Sequence, residues 1–195
     1  MLIGKIKEVK FLPELIGQTL PSKYFGQAGR AFEDMLEESY GITVNRGPGV
    51  DSPMFGIEYK TRDLDSISPQ TIATMSIDEI INTCYRESNV FKKFQQQIRI
   101  KTKNNVIVEA DLYDFRPTHI QEKIEAAYEY ARAQLANNRN LRTTISGPNG
   151  LGYWGYFENT NNRENSRAFR INPSGMDDYE NMAKSNFTNI FDYGC

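Results

Sequence analysis

Residues 47–62 read Gly-Pro-Gly-Val-Asp-Ser-Pro-Met-Phe-Gly-Ile-Glu-Tyr-Lys-Thr-Arg, a turn that runs straight into an alternating stretch. From Phe55 to Thr61 the alternation has period two, the spacing at which a strand sends successive side chains to opposite faces. Ile57, Tyr59 and Thr61 then share one face, and Glu58 and Lys60 share the other. Ser52 and Pro53 allow a bend that brings Asp51 beside Glu58, so that two carboxylates and an ammonium converge at a strand end. Hard oxygen ligands of this kind suit Mg²⁺. A metal ion with a lysine beside a phosphodiester is a hydrolytic arrangement. The same alternation also describes the solvated face of an antiparallel sheet, and the pattern alone leaves both readings open.

A chain of 195 residues is most simply one domain, and it can bury a sizeable core. No apolar run approaches the ~18 residues that a membrane span needs, and the first residues lack the apolar core of a signal peptide. Cys84 and Cys195 do not make a disulfide framework. A reducing, cytoplasmic setting is therefore the expectation. One histidine and two distant cysteines cannot supply a usual zinc ligand set. His119, as the lone imidazole, also argues against a serine- or cysteine-type triad.

The net charge of −2 hides an uneven distribution. Arg86, Lys92, Lys93, Arg99, Lys101 and Lys103 face Glu87 alone within residues 86–103. Arg139, Arg142, Arg163, Arg167 and Arg170 outnumber Glu158 and Glu164 within residues 139–170. Acids gather at residues 33–38, 51–65 and 177–180. An acidic metal site with separate basic surfaces fits this sorting, and so does a solvated surface with no partner.

Along the chain, Ile3, Ile6 and Val9 give a short element before Pro13 and Pro21, followed by a loop. Residues 26–40 read as a helix, with Ala28, Ala31, Phe32, Met35, Leu36 and Tyr40 on one stripe and Gly41 as its stop. Glu33 and Glu37 lie together beside the stripe, either as an exposed acidic face or with Glu33 turned to the site. Ile42 to Val44 suggests a short strand, and Thr71 to Met75 another. Ser76 to Glu79 has capping-box spacing, and the helix it starts places Cys84 as a small buried side chain. Ser88 caps a further short helix through Phe94.

Ile98–Thr102 and Val106–Phe115 form a hairpin across Lys103-Asn104-Asn105. Arg99, Lys101 and Lys103 share one face of it, with Glu109 and Asp111 placed for cross-strand pairing. Thr118 to Gln121 is another capping box, opening a helix to about Leu135 with Ile120, Ile124, Ala127, Tyr128, Ala131 and Leu135 on its apolar side. Ser146 to Gly150 is a turn, Ser166 to Ile171 a returning strand, and Ser174 begins a last helix.

Tyr153, Trp154, Tyr156 and Phe157 read first as core and edge packing, with base stacking as the alternative. Loops rich in Asn, Arg, Ser and Thr flank them at residues 137–150 and 159–167. Those side chains suit phosphate and base-edge contacts.

The run Phe25-Gly-Gln-Ala-Gly-Arg-Ala-Phe-Glu33, then Asp51, then Gly56-Ile-Glu-Tyr-Lys-Thr61 resembles the restriction-endonuclease-like superfamily, and within it the MutH-like branch. The likeness covers about residues 25–62, with helix, turn and strand in the family's order. It departs where Val50, in place of proline, precedes Asp51.

The resemblance implies an α/β (α+β) fold in which helices flank a mixed central β-sheet. It implies a single nuclease domain over residues 1–195, its catalytic core at about 25–115 and its DNA-contacting part at about 137–185. It implies Mg²⁺-dependent hydrolysis of DNA phosphodiesters, of restriction or repair-nicking type, with Mn²⁺ as a substitute metal. Asp51, Glu58 and the Tyr59 carbonyl would hold the metal. Lys60 would act on the attacking water, and Glu33 would be an outer-shell or second-metal carboxylate. Lys101, Lys103, Arg139, Arg142, Arg163 and Arg167 are the expected contacts to double-stranded DNA. Many double-strand cutters of this kind act as homodimers and many nickases as monomers, so the resemblance leaves a homodimer open; the residues show no interface. A non-catalytic DNA-binding protein on the same scaffold is the alternative.

Overall fold

A computed structural model describes residues 11–21, 28–148, 150, 152–156 and 166–184. The chain divides into two compact units. The first comprises Met1–Ile67 with Gln96–Tyr113, and the second comprises Ser68–Gln95 with Asp114–Cys195. The fold class is the α+β expected, but one central sheet is replaced by two: a mixed three-stranded sheet and an antiparallel four-stranded one, both flanked by helices. Among the described residues no helix is long and apolar enough to cross a membrane.

In the first unit, helix α1 (Leu12–Leu15) is a single turn with a proline in its first positions, where no backbone donor is lost. Helix α2 (Ala28–Tyr40) follows the apolar stripe and buries Ala31, Phe32, Met35 and Leu36. It ends on Gly41, whose φ of +64° and N–H to the Glu37 carbonyl (3.2 Å) make a left-handed stop. The strand expected at Ile42–Val44 is absent. Its polar groups are drawn away, the Val44 N–H to Glu37 Oε1 (3.2 Å) and the Asn45 N–H to the Asp51 carbonyl (2.7 Å).

Strand β1 (Ile57–Asp63) pairs in parallel with β3 (Gln96–Lys103), aligning Glu58 with Gln97 and Lys60 with Arg99. Strand β4 (Val106–Asp114) completes the order β1-β3-β4. It returns through Asn104 and Asn105, both at positive φ (49° and 64°), as the hairpin spacing predicts. Residues 17–20 cover the outer edge of β4, with the Gly17 N–H on the Ile107 carbonyl (2.8 Å) and the Ile107 N–H on the Gln18 carbonyl (2.9 Å). The apolar face of the sheet packs Ile57, Tyr59, Ile98 and Ile100 into one cluster with Phe32 and Leu36 of α2. The Phe32 ring meets Tyr59 edge-on, at 6.1 Å between centroids and 80° between planes.

The second unit holds β2 (Gln70–Ser76), β5 (Ile145–Ser146), β6 (Tyr153–Tyr156) and β7 (Ser166–Ile171) in the order β2-β7-β6-β5. Ser76 caps α3 (Ile77–Asn82) by accepting the Glu79 N–H at 3.0 Å, and Ser88 caps α4 (Asn89–Lys93) through the Phe91 N–H at 3.1 Å. Cys84 falls beyond the end of α3 and is exposed, contrary to expectation.

Helix α5 (Thr118–Asn137) buries the six apolar residues expected of it, but its cap is Pro117. The capping box at Thr118 does not form. Gln121 is instead buried, its amide on the Phe94 and Phe115 carbonyls (3.1 and 2.7 Å) and its oxygen accepting the Tyr85 hydroxyl (2.5 Å). Trp154 is fully buried between Tyr128 and Phe169, which makes it core and removes it as a stacking platform. The turn before it needs glycine, since a Cβ at Gly147 would fall 2.4 Å from the Ala127 Cβ. Helix α6 (Pro173–Lys184) starts one residue ahead of Ser174. The segments at residues 1–10, 25–27 and 159–165, with Phe157 and Cys195, lie outside the described residues.

Phe32 fixes α2 on β1, so Phe32→Ala is expected to cost about 3–5 kcal/mol of stability, read from urea denaturation.

Candidate active site

The site is built at the outer edge of β1, which has β3 on one side only. Residues with odd numbers in β1 turn their backbone groups outward. Ser52 takes the first of them, its N–H on the Ile57 carbonyl (2.8 Å) and its own carbonyl accepting the Ile57 N–H (3.2 Å). Asp51 continues this edge with its side chain: Oδ2 accepts the Tyr59 N–H at 2.7 Å. In an extended strand the N–H and C=O of one residue point the same way. The Tyr59 carbonyl is therefore on the same edge as the Asp51 carboxylate.

The bend between them is tight. The Ser52 carbonyl also accepts the Gly56 N–H at 2.8 Å, and Gly56 has a φ of +67°, where glycine costs least.

Glu58 points to the opposite face from Tyr59 and is completely buried, with Lys60 Nζ at 2.5 Å from its Oε1. A buried carboxylate is costly unless a cation and hydrogen bonds offset its desolvation. The Lys60 side chain stays 20% exposed. Beside them on β3, the buried Arg99 donates through Nη1 to Gln97 Oε1 at 2.7 Å.

Glu33 comes from α2. Burial holds its carboxyl above the usual value of 4.5, and the nearby Asp51 charge adds to this, while Arg46, Lys60 and Arg30 oppose it. Glu33, Asp51 and Lys60 thus share one electrostatic neighbourhood. Arg46 closes it: its Nε is 3.6 Å from Glu33 Oε2, and its Nη2 pairs with Asp34 and with Glu37 Oε2 (2.8 Å). Arg46 precedes the Gly-Pro-Gly loop, which Asn45 braces from within. The Asn45 oxygen accepts the Gly47 N–H (3.0 Å), and its amide donates to the Pro48 and Val50 carbonyls (both 3.1 Å). Arg46 and Asn45 were missed in the sequence. An Asn two residues before a glycine is an Asx-turn signal that could have found the second.

The expected site residues of β1 and the turn before it are thus joined pairwise, Asp51 to Tyr59 and Lys60 to Glu58, with Glu33 within electrostatic range of Asp51 and Lys60. Among the described residues, no group of three or more His, Cys, Asp or Glu side chains is set to hold a metal ion. The oxygen donors expected of this site are two carboxylates and one main-chain carbonyl, a hard set of the kind Mg²⁺ takes together with water and substrate oxygens.

The expected DNA contacts are scattered. Lys101 pairs across the hairpin with Glu109 Oε1 (3.2 Å), and Lys103 is exposed at the turn. Arg139 is exposed and pairs with Asp78, and Arg142 is exposed. Arg163 lies outside the described residues. Arg167 is fully buried and donates to the Thr143 carbonyl at 2.8 Å, so it is a core arginine where a surface contact was expected. No protein-family model matches the chain, and no curated protein matches it significantly.

Because Glu33 holds its proton more tightly folded than unfolded, its contribution to stability is complete below pH 4.5 and is lost as pH rises through its folded value. Glu33→Gln is therefore expected to raise the melting temperature at pH 7, with the gain fading toward pH 4 in thermal scans.

Proposed function

We propose that the unit built on β1 is the catalytic part of a divalent-metal-dependent DNA endonuclease with a restriction-endonuclease-like arrangement. The observation that carries this reading is the Asp51 carboxylate bound to the Tyr59 amide, one residue from Glu58 and Lys60. It joins two separate segments at the strand position where Glu-x-Lys begins. The family resemblance of residues 25–62 supports the same assignment.

In this reading Asp51, Glu58 and the Tyr59 carbonyl hold Mg²⁺ or Mn²⁺. When bound, the metal supplies Lewis-acid polarisation of the phosphate and a more acidic water. Lys60 stands beside Glu58 and acts on the attacking water and on the charge that develops on the phosphorane. Glu33 acts from outside the metal's ligand set. The substrate is intracellular double-stranded DNA, met in the cytoplasm and cut at a sequence-specific site in the manner of a restriction or nicking enzyme. Lys103, exposed at the hairpin turn, is a cation that can meet phosphate.

The test is cleavage of a mixed-sequence duplex in Mg²⁺, with the ends mapped. Wild type is expected to cut or nick it. Lys60→Ala is expected to lower the rate by about 10²–10⁴-fold while duplex affinity in Ca²⁺ stays the same. Binding without cleavage in either Mg²⁺ or Mn²⁺ would return the non-catalytic DNA-binding alternative. Absence of binding at low salt, where phosphate contacts are strongest, would remove both.

A further inference from the structure

We propose that Gln97 and Arg99 of β3 are positioning residues for the pair Glu58 and Lys60. Arg99 turns the Gln97 amide so that its NH₂ group serves Glu58, and Lys60 can then leave Glu58 for a phosphate without stripping a buried carboxylate of its polar support. What Lys60 does once released rests on the catalytic reading above. The link from Arg99 through Gln97 to Glu58 stands apart from that reading.

The link follows from register and donor chemistry. Strands β1 and β3 run in parallel, with Glu58 aligned to Gln97 and Lys60 to Arg99. Aligned side chains on neighbouring strands stand on the same face, with the strands ~4.8 Å apart. Gln97 and Arg99 are fully buried, as Glu58 is. Arg99 Nη1 lies 2.7 Å from Gln97 Oε1. A guanidinium carries donors only, so the amide atom it meets is the oxygen, and the other end of the amide is the NH₂ donor. An ionised carboxylate only accepts, and Glu58 is the carboxylate aligned with Gln97. Turning the amide over would set its NH₂ against the donors of Arg99 and its oxygen toward Glu58, two mismatches at once.

The arrangement divides the support of Glu58 in two. Lys60 Nζ meets Oε1 at 2.5 Å, and a lysine ammonium rides on a flexible four-carbon stem. Gln97 and Arg99 are bonded to each other in the interior of the same face. Breaking a buried ion pair from one side leaves an uncompensated charge, which is strongly unfavourable. A neutral donor held by a fixed cation lowers that cost at the moment Lys60 moves.

The test has two arms, both on the full chain. The first is a set of thermal melts in EDTA. The loss of melting temperature in the double variant Lys60→Met with Gln97→Met is expected to exceed the sum of the two single losses. With Glu58→Gln also present the excess is expected to vanish, because no buried carboxylate is left to serve. Losses that simply add, or an excess that survives Glu58→Gln, would overturn the inference. The second arm is duplex cleavage at saturating Mg²⁺. Gln97→Met is expected to lower kcat about 10–100-fold with KM for the duplex unchanged, since Lys60 stays bound to Glu58. An unchanged kcat, or a loss confined to KM, would overturn the positioning role. Gln97→Glu keeps the size of the side chain and an acceptor for Arg99 but gives Glu58 no donor. It replaces Gln97→Met in both arms where that variant does not fold, and it is held to the same outcomes. No cleavage by wild type would overturn the catalytic reading and the release of Lys60 with it, while the thermal arm still decides the link.

Discussion

The hydrogen bond from the Tyr59 amide to Asp51 is the constraint on which the rest of the site depends. An outer strand presents unpaired N–H and C=O groups, and a protein must cover them or expose them. Here the chain covers the start of β1 with its own preceding residues, first with the Ser52 backbone and then with the Asp51 side chain. The edge-covering device and the candidate metal ligand are the same carboxylate. That shared duty fixes where Asp51 can be relative to Glu58 and Lys60, because all of them are referred to one strand. It also explains the investment upstream. Asn45 and Arg46 have their contacts inside the loop and on α2, so the position of Asp51 is set from both sides.

Glu58 shows the energetic cost of the arrangement. Its full burial would be unfavourable for a structural residue that an apolar side chain could replace, and a buried ion pair seldom repays its desolvation against such a replacement. Lys60 lies on the same face two residues on and offsets part of the penalty. The neighbouring strand repeats the theme, with Gln97 and Arg99 buried and bonded to one another beside Glu58 and Lys60. Glu33 is strained in a related way, its carboxyl pushed up by burial and by Asp51. A face kept polar and charged at a cost in stability is what the proposed site would need.

Local patterns were legible in the sequence because local physics decides them. The α2 stripe, its stop at Gly41, the Asn104-Asn105 turn and the caps at Ser76 and Ser88 all follow from spacing and side-chain chemistry within a few residues. The bend between Asp51 and Glu58 was legible for the same reason. Features that depend on distant partners were not. Strand β2 pairs with β7, aligning Thr74 with Ala168, and no local pattern announces that the sheet would divide in two. The apparent capping box at Thr118 failed because Gln121 had a more demanding use in bridging Phe94, Phe115 and Tyr85. Ile42 to Val44 had the residues of a strand, but the Glu37 carboxylate took the Val44 amide. Arg46 was illegible as a site residue because its meaning lies in carboxylates on a different element.

The basic residues show why a count of charges overstates a binding surface. Lys101 is engaged with Glu109, Arg139 with Asp78, Arg132 with Glu129 and the Ile81 carbonyl, and Arg167 with the Thr143 carbonyl. Each engagement orients the cation inward or along the surface, and a phosphate would have to compete for it. The long-range field survives such pairing less well than the residue count suggests, because a pair presents a dipole where a lone cation presents a charge, and salt screens what remains. Any nucleic-acid footprint on this chain is therefore narrower than the two basic stretches of its sequence. Its affinity would depend on the few cations at hairpin and loop tips, such as Lys103, more than on net charge.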